Sequence, residues 1–376
     1  MRKQKSRFAS VFAAAALAAS LSASVCVNAF AFYQAPAGKK GLLISQQTND
    51  CLQDLTNLGI NQVICNLGSD QNINAYDPLA NYSRSHGITM SMILINRWGA
   101  SSSLLPVASR QDGVGVYGFN VLDASGESAV RSYAASVARH YSSSVSNWII
   151  GNEVNDALQW DYNGVMNMEA HAETYAKAFR IFYEEIKKAN PEARVFIPFN
   201  MCWNATLGIE GSYPVSGYLP LLNEKLRDTE YGIAWHPYPV HFFNKPEFLD
   251  DDGISEDLAT TPNINLKNIH LLTDYLQTEG MRTPSGEVRH LLLTEQGFTS
   301  ACENGEQRQA DAIRQAWDIV QANPFIEGFY LTRQVDAAGQ EAAGGAFGLW
   351  TRDPGASRDE VPRSKKQAWS VYQSLR

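Results

Sequence analysis

The chain of 376 residues carries 31 Lys and Arg side chains against 39 Asp and Glu, for a net charge of −8. This acidic balance argues against a nucleic-acid partner, because proteins that bind nucleic acid present a basic surface. Hydrophobic residues make up 44% of the chain and charged residues 19%, as in an ordinary globular protein. The length is large for one average domain but usual for a single α/β barrel.

The first 29 residues have the pattern of an export signal. A basic start is followed by apolar residues 8–25, rich in Ala and Ser, and then by the small-residue cleavage site Val27-Asn28-Ala29, with Ala29-Phe30-Ala31 as an alternative. A transmembrane anchor is the competing interpretation, because the apolar stretch approaches about 18 residues. Since Ala and Ser contribute little to insertion, we predict cleavage, a secreted or extracytoplasmic location and no stable membrane insertion.

The five cysteines leave the disulfide pattern open. Cys26 belongs to the predicted signal, and the bulky Val25 before it disfavours a lipid anchor there. Of the remaining four, an exported protein could join Cys51, Cys65, Cys202 and Cys302 in three ways, while buried unpaired thiols are an equal alternative. Their spacing is too wide for a zinc site.

Eight short, nearly continuous apolar runs alternate with helical patterns. The runs cover residues 41–45, 62–67, 88–95, 148–152, 194–199, 232–236, 290–294 and 328–332. Continuous apolar character is typical of parallel strands buried on both faces. Helical periodicity is clearest over residues 169–189, 269–277, 307–322 and 365–375.

This alternation predicts a closed barrel or a large open sheet. An open sheet usually has a Gly-rich turn after its first strand, whereas this chain continues with Ser45-Gln46-Gln47. We therefore predict an α/β fold: a single-domain (β/α)8 TIM barrel over residues 30–376, after a signal peptide at residues 1–29.

Polar and aromatic residues gather where the apolar runs end, which in such barrels is where active sites lie. The run ends carry Asn66, Arg97 with Trp98, Asn152 with Glu153, Asn200 with Trp203 nearby, His236 with Tyr238, Glu295, and Arg333. Strands that simply end at the surface would explain one or two such positions but not the whole ring. The sequence therefore predicts a site at this end of the barrel.

Glu153 and Glu295 are the candidate catalytic residues. They follow the fourth and seventh runs, which lie nearly opposite each other in a closed eight-stranded barrel. Two carboxyl groups about 5–5.5 Å apart are what retaining glycoside hydrolysis requires. A salt bridge at the strand end is the alternative for either residue alone.

At these residues the chain resembles the clan A glycoside hydrolases, a superfamily of retaining (β/α)8-barrel enzymes. The resemblance rests on Asn152-Glu153 after strand four, Thr294-Glu295 after strand seven, His236-Pro237-Tyr238 on strand six, and Phe347-Gly348-Leu349-Trp350 with Lys365-Lys366-Gln367-Ala368-Trp369 in the tail. It implies that Glu153 is the general acid/base, that Glu295 is the nucleophile and that Tyr238 hydrogen-bonds Glu295. Two positions differ, because strand two ends in Cys65-Asn66 rather than Arg and strand eight lacks the usual Trp. Arg97 and Trp350 could substitute.

The substrate predicted from these features is a poly- or oligosaccharide, cleaved by double displacement without a cofactor or metal. Aromatic sugar platforms could come from several Trp residues, including Trp160, although core packing explains each of them equally well. The predicted substrate-binding residues are Asn152, His236, Tyr238, Asn66, Arg97, Trp98, Asn200, Trp203 and Trp350. A carbohydrate-binding barrel that has lost catalysis is the main alternative. The sugar, the linkage, endo or exo action and the oligomeric state stay open.

Overall fold

Eight parallel strands close into a barrel in the computed structural model, which describes residues 32–376. Each strand pairs with the next along the chain, and β8 pairs with β1. The strands are β1 Lys40–Leu43, β2 Gln62–Gly68, β3 Thr89–Ile95, β4 Val145–Ile150, β5 Arg194–Asn200, β6 Gly232–His236, β7 Leu291–Gln296 and β8 Ile326–Leu331. The predicted single-domain (β/α)8 barrel is confirmed. The predicted signal peptide, its cleavage sites and Cys26 lie outside the described residues, so export stays a prediction.

Most of the helices cover the outside of the barrel. The helices are α1 Asn49–Leu58, α2 Asp77–His86, α3 Ala124–His140, α4 Ala157–Trp160, α5 Met168–Ala189, α6 Val215–Lys225, α7 Ile269–Leu276, α8 Gly305–Ala322, α9 Ala338–Ala342 and α10 Gln367–Ser374. The short helices α4 and α9 lie in segments that follow the C-terminal ends of the strands. After β8, a two-stranded antiparallel hairpin of β9 Trp350–Arg352 and β10 Pro362–Lys365 extends the chain. The final helix α10 packs against α8 and α1.

The core has two layers because each strand is buried on both faces. Inside the barrel, alternate residues of the strands form one apolar cluster, which includes Ile64, Ile93, Ile149 and Leu292. The outward-facing residues pack against the helices in a larger cluster. The interior is tightly filled: a Cβ atom added at Gly232 would lie 2.4 Å from Cε1 of Phe196.

Helix α5 shows how local sequence sets an element. The side chain of Asn167 accepts a hydrogen bond from the backbone N–H of Ala170 and so caps the first turn. Tyr175, Phe179, Phe182 and Ile186 form the buried stripe. Beyond Ala189 the helix stops at Asn190, because Pro191 cannot continue it. The predicted bounds, residues 169–189, differ from the observed ones by one residue.

The largest boundary error concerns β4, predicted at residues 148–152 and found at Val145–Ile150. Asn147 looks like a loop residue but is buried, and its side chain donates to Oγ of Ser91 on β3 at 3.1 Å. At the other end, Gly151 has a φ of 85° and ends the strand. The Asn152-Glu153 pair therefore lies on a turn rather than on the strand itself.

The four cysteines of the described chain are unpaired thiols. Cys51, Cys65 and Cys202 are buried, and Cys302 is partly exposed. Of the two alternatives left by the sequence, the structure has the unpaired one. Within residues 32–376, no helix is both long and apolar enough to cross a membrane.

Candidate active site

A cavity of about 750 Å³ opens among the segments that follow the C-terminal ends of the strands. Both predicted catalytic residues, Glu153 and Glu295, line it. The side chain of Glu153 is 15% exposed and that of Glu295 is 26% exposed. Each carboxyl group is therefore held within the protein yet remains accessible from the cavity.

Glu153 lies on a strained turn. The backbone N–H of Gly151 donates to the carbonyl of Leu94 on β3 at 2.9 Å, and that of Val154 donates to the carbonyl of Pro198 on β5 at 3.0 Å. These two bonds anchor the turn to the strands on either side of β4. Between them Glu153 adopts a φ of 39°, a left-handed conformation that costs a residue with a side chain roughly 1–3 kcal/mol. Strain of this kind is concentrated at functional sites.

His236 at the end of β6 lies between the two glutamates. Its Nδ1 atom is 2.9 Å from Oε1 of Glu153 and 3.9 Å from Oε2 of Glu295. The hydroxyl of Tyr238 donates to the other oxygen of Glu295, Oε1, at 2.8 Å. One imidazole and one phenol therefore fix both carboxyl groups relative to each other.

The two carboxylates also determine the charge of His236. Burial alone would lower the pKa of this fully buried imidazole, but the hydrogen bond to Glu153 and the charges of Glu295 and Glu153 outweigh it, so the pKa is raised. Burial, followed by the charge of Glu295, raises the pKa of Tyr238 well above its ordinary value. Tyr238 consequently stays protonated and can donate to Glu295 throughout the neutral pH range.

Several buried polar atoms around the cavity have no hydrogen-bond partner among the described residues. They are Oδ1 of Asn66, Nδ2 of Asn200, Nε2 of His236, Nε of Arg333 and Oε1 of Gln340. A buried donor or acceptor left unpaired costs about 1–3 kcal/mol. Donors and acceptors are mixed in this set, as the hydroxyl groups of a polyhydroxylated ligand would require.

A further carboxyl group lies behind Glu153. The side chain of Asp156 is fully buried, and neither of its oxygens has a hydrogen-bond partner among the described residues. Burial, and after it the charge of Glu153, raises the pKa of Asp156 to about 7. Burial, followed by the charges of these two carboxyl groups, also raises the pKa of the neighbouring Cys202 thiol to about 12.

Comparison with known protein families identifies the family to which the chain belongs. A family model described as "Family of unknown function (DUF5722)" matches residues 68–376. The chain belongs to the DUF5722 family. No curated protein matches it.

Solved structures share the fold of this DUF5722 protein at low sequence identity. The beta-glycosidase BGL167 is 14% identical with a TM-score of 0.57, covering 86% of this chain and 85% of that one. A family 1 b-glucosidase from Thermotoga maritima is 15% identical with a TM-score of 0.52, covering 85% and 84%. A GH10 endoxylanase from a sugarcane soil metagenome is 14% identical with a TM-score of 0.54, covering 90% and 97%. The resemblance predicted from the sequence is thus confirmed for the fold.

Most of the predicted site residues of the DUF5722 protein come together in this cavity. The predicted residues that line it are Glu153, Glu295, Asn152, His236, Tyr238, Asn66, Arg97 and Asn200. Arg333 after β8 and Trp160 on α4 line it as well. Arg333 forms an ion pair with Glu360 from the loop between β9 and β10.

Three predicted tryptophans lie outside the cavity wall. Trp203 is 3% exposed, and its indole N–H donates to the carbonyl of Leu258 at 3.1 Å. Trp350 donates to Asp54 at 2.9 Å, and Trp98 packs against Tyr117. The structure therefore does not have these three tryptophans at the cavity wall, where the sequence predicted them. Each indole instead packs among the loops or helices around it. Trp350 therefore does not occupy the position expected of a Trp at the end of strand eight.

Sequence reasoning missed an aromatic wall beside Glu295. Phe242 lies 4.7 Å from the ring of Tyr238 and 4.4 Å from the ring of Phe243, measured between centroids, and Phe347 packs against all three. Phe242, Phe243 and Phe347 line the cavity. The loops after β6 and β8 bring them together, and no periodic pattern in the sequence signals this contact.

Proposed function

We propose that this DUF5722 protein is a retaining glycoside hydrolase, with Glu153 as the general acid/base and Glu295 as the nucleophile. The observation that carries this proposal is the approach of both carboxyl groups to one atom, Nδ1 of His236, at 2.9 and 3.9 Å. Because both distances are measured to the same atom, Oε1 of Glu153 and Oε2 of Glu295 must lie close to each other. This close approach supports the about 5–5.5 Å separation of retaining enzymes over the roughly 6.5–9.5 Å separation of inverting ones.

The surroundings support the division of roles. Tyr238 donates to Glu295, which favours an ionised, oriented carboxylate that can attack the anomeric carbon. His236 holds Oε1 of Glu153, so Oε2 remains for the substrate. Glu153 gives its proton to the glycosidic oxygen as the bond to the sugar breaks, and Glu295 forms the covalent bond to that sugar. Water then attacks the sugar, Glu153 takes its proton, and Glu295 is released.

The substrate side of the cavity suits a sugar ring. The unpaired polar atoms of Asn66, Arg333 and Gln340 can meet hydroxyl groups. Asn152 also lines the cavity, and we assign it the hydrogen bond to the 2-hydroxyl. The wall of Phe242, Phe243 and Phe347 offers an apolar surface on which a sugar face can stack.

Azide rescue tests the two roles separately. On an aryl glycoside with an acidic phenol, Glu153→Ala should slow deglycosylation, and azide should restore turnover and yield a glycosyl azide of retained configuration. Glu295→Gln should abolish turnover, because no covalent intermediate can form. Glu230→Ala is the matched control, since Glu230 is exposed and precedes β6 at the opposite end of the barrel. Rescue of Glu295→Ala with an inverted product would reverse the roles, and sugar binding without hydrolysis by the unaltered protein would favour the binding-protein alternative.

A further inference from the structure

The leaving group of the proposed reaction must lie on the Glu153 side of the cavity, because Glu153 protonates its oxygen. Two segments form that side, residues 153–160 after β4 and residues 201–213 after β5. They are joined by backbone hydrogen bonds from Tyr213 to Asn155 at 2.7 Å and from Ala157 to Gly211 at 2.8 Å. The two segments therefore form one continuous wall.

This leaving-group wall is apolar. Trp160, Met201 and Leu207 line the cavity there. Besides Glu153, no charged side chain of these two segments lines it, and Gln159 contributes an uncharged one. The raised pKa of Cys202 keeps its thiol uncharged as well.

Leu207 also reaches the rim of this wall. It is 47% exposed while lining the cavity, and Ile209, two residues later in the same loop after β5, is 41% exposed. Large hydrophobic side chains are seldom this exposed elsewhere in the described chain. An apolar contact for a ligand at this edge would explain the exposure of Leu207.

More of the unpaired polar atoms lie on the other half of the cavity. Those of Asn66 lie on β2, and those of Arg333 and Gln340 lie in the segment after β8. On the Glu153 side, Nδ2 of Asn200 at the end of β5 is the unpaired donor next to the wall. A second sugar on the Glu153 side would place hydroxyl groups against Met201 and Leu207, which cannot hydrogen-bond them. Wherever the wall excludes water, such hydroxyl groups would be left unpaired, which disfavours a second sugar there.

We propose that the substrate is a small glycoside whose leaving group is an apolar alcohol, alkyl or aryl, rather than a second sugar. A cavity of about 750 Å³ has the size of a site for one small ligand. This inference rests on the proposed function for its chemistry, but the apolar wall can be tested without turnover.

The kinetic test compares leaving groups on one sugar. For whichever sugar gives turnover, kcat/KM is measured for the octyl glycoside, the methyl glycoside and the corresponding disaccharide. Octanol and methanol are alcohols of similar acidity and need the same protonation by Glu153, so a ratio of at least about tenfold in favour of octyl reports apolar contact. Leu207→Gln should lower this ratio about threefold. Leu122→Gln is the matched control, because Leu122 is 48% exposed and lies outside the cavity wall.

A binding test separates this inference from the proposed function. The dissociation constant of 4-methylumbelliferone, a free apolar alcohol, is followed by quenching of protein fluorescence. Leu207→Gln should weaken binding about threefold and Leu122→Gln should leave it unchanged. Selective weakening without hydrolysis of any glycoside would sink the proposed function but retain the apolar site. Equal binding by both variants, or faster cleavage of the disaccharide than of the octyl glycoside, would overturn the inference.

Discussion

Asp156 gives the folded protein a pH dependence that a single substitution should remove. Its pKa is raised from 3.8 to about 7 by burial and by the charge of Glu153. Between these two pH values the unfolded chain has released the proton, whereas the folded protein retains it. The folded state therefore binds more protons, and the free energy of unfolding falls as the pH rises from about 4 to about 7.

The size of this effect follows from the same values. A difference of one pKa unit corresponds to about 1.4 kcal/mol, so the shift of Asp156 corresponds to a loss of up to roughly 4 kcal/mol above pH 7. Because the side chain is fully buried, solvent does not screen it. Asp156→Asn carries no titrating group at this position, so its free energy of unfolding minus that of the unaltered protein, the margin, should increase as the pH rises across this range.

Urea unfolding of both proteins at half-unit steps from pH 4 to pH 8 measures this margin. All other titrating groups are shared, so the difference between the curves reports Asp156, whatever constant cost the new amide brings. Repeating the series in a Glu153→Gln background should shrink the margin, since the charge of Glu153 is the second cause of the shift. Parallel curves, or a margin that grows toward low pH, would refute an unpaired buried carboxyl at this position.

Two further substitutions test a buried ion pair and the donor to Glu295. Lys366→Met should destabilise the protein by about 3–5 kcal/mol in urea unfolding, because it strands the buried carboxylate of Asp336, which accepts from the lysine at 2.7 Å. Lys188→Met removes an exposed lysine from Glu185, which keeps its ion pair with Arg131, so it should cost under about 1 kcal/mol. Equal losses would contradict the argument. Tyr238→Phe should lower kcat/KM roughly ten- to hundredfold, because it removes the donor to Glu295. The aromatic ring is kept, so the free energy of unfolding should change by no more than about 1 kcal/mol. A large loss of stability would point to a packing role instead.

The barrel could be predicted from the sequence because burial on both faces makes each strand an uninterrupted apolar run. The bounds of β6 were predicted correctly, since Gly232–His236 is apolar until its final residue. Strand β4 was misplaced because Asn147 is polar but buried, and its partner Ser91 is 56 residues away in the chain. A hydrogen bond between residues so far apart in the chain cannot be recognised from a local sequence pattern.

The candidate site shows the same difference between residues that a local sequence pattern identifies and residues that distant packing positions. Glu153 and Glu295 could be found because parallel strands bring their C-terminal ends to one edge, so position at a strand end predicts proximity. Trp203 could not be placed, since a loop residue near a strand end faces the cavity or the core according to distant packing. Phe242 and Phe347 were missed for the converse reason, because loops 105 residues apart bring them together.

Two unfavourable features of the molecule lie close together in the segment after β4. Within four residues it holds Glu153 in a left-handed conformation and buries the unpaired carboxyl of Asp156. Neither feature stabilises the fold, and each costs free energy that the surrounding barrel must offset. Both do, however, act on the same group: the turn aims the Glu153 carboxyl into the cavity, and Asp156 places a second proton-binding site behind it. Substitution to Gly and Asn would relieve these two costs, so the proposed chemistry of Glu153 accounts for two features that the fold alone does not need.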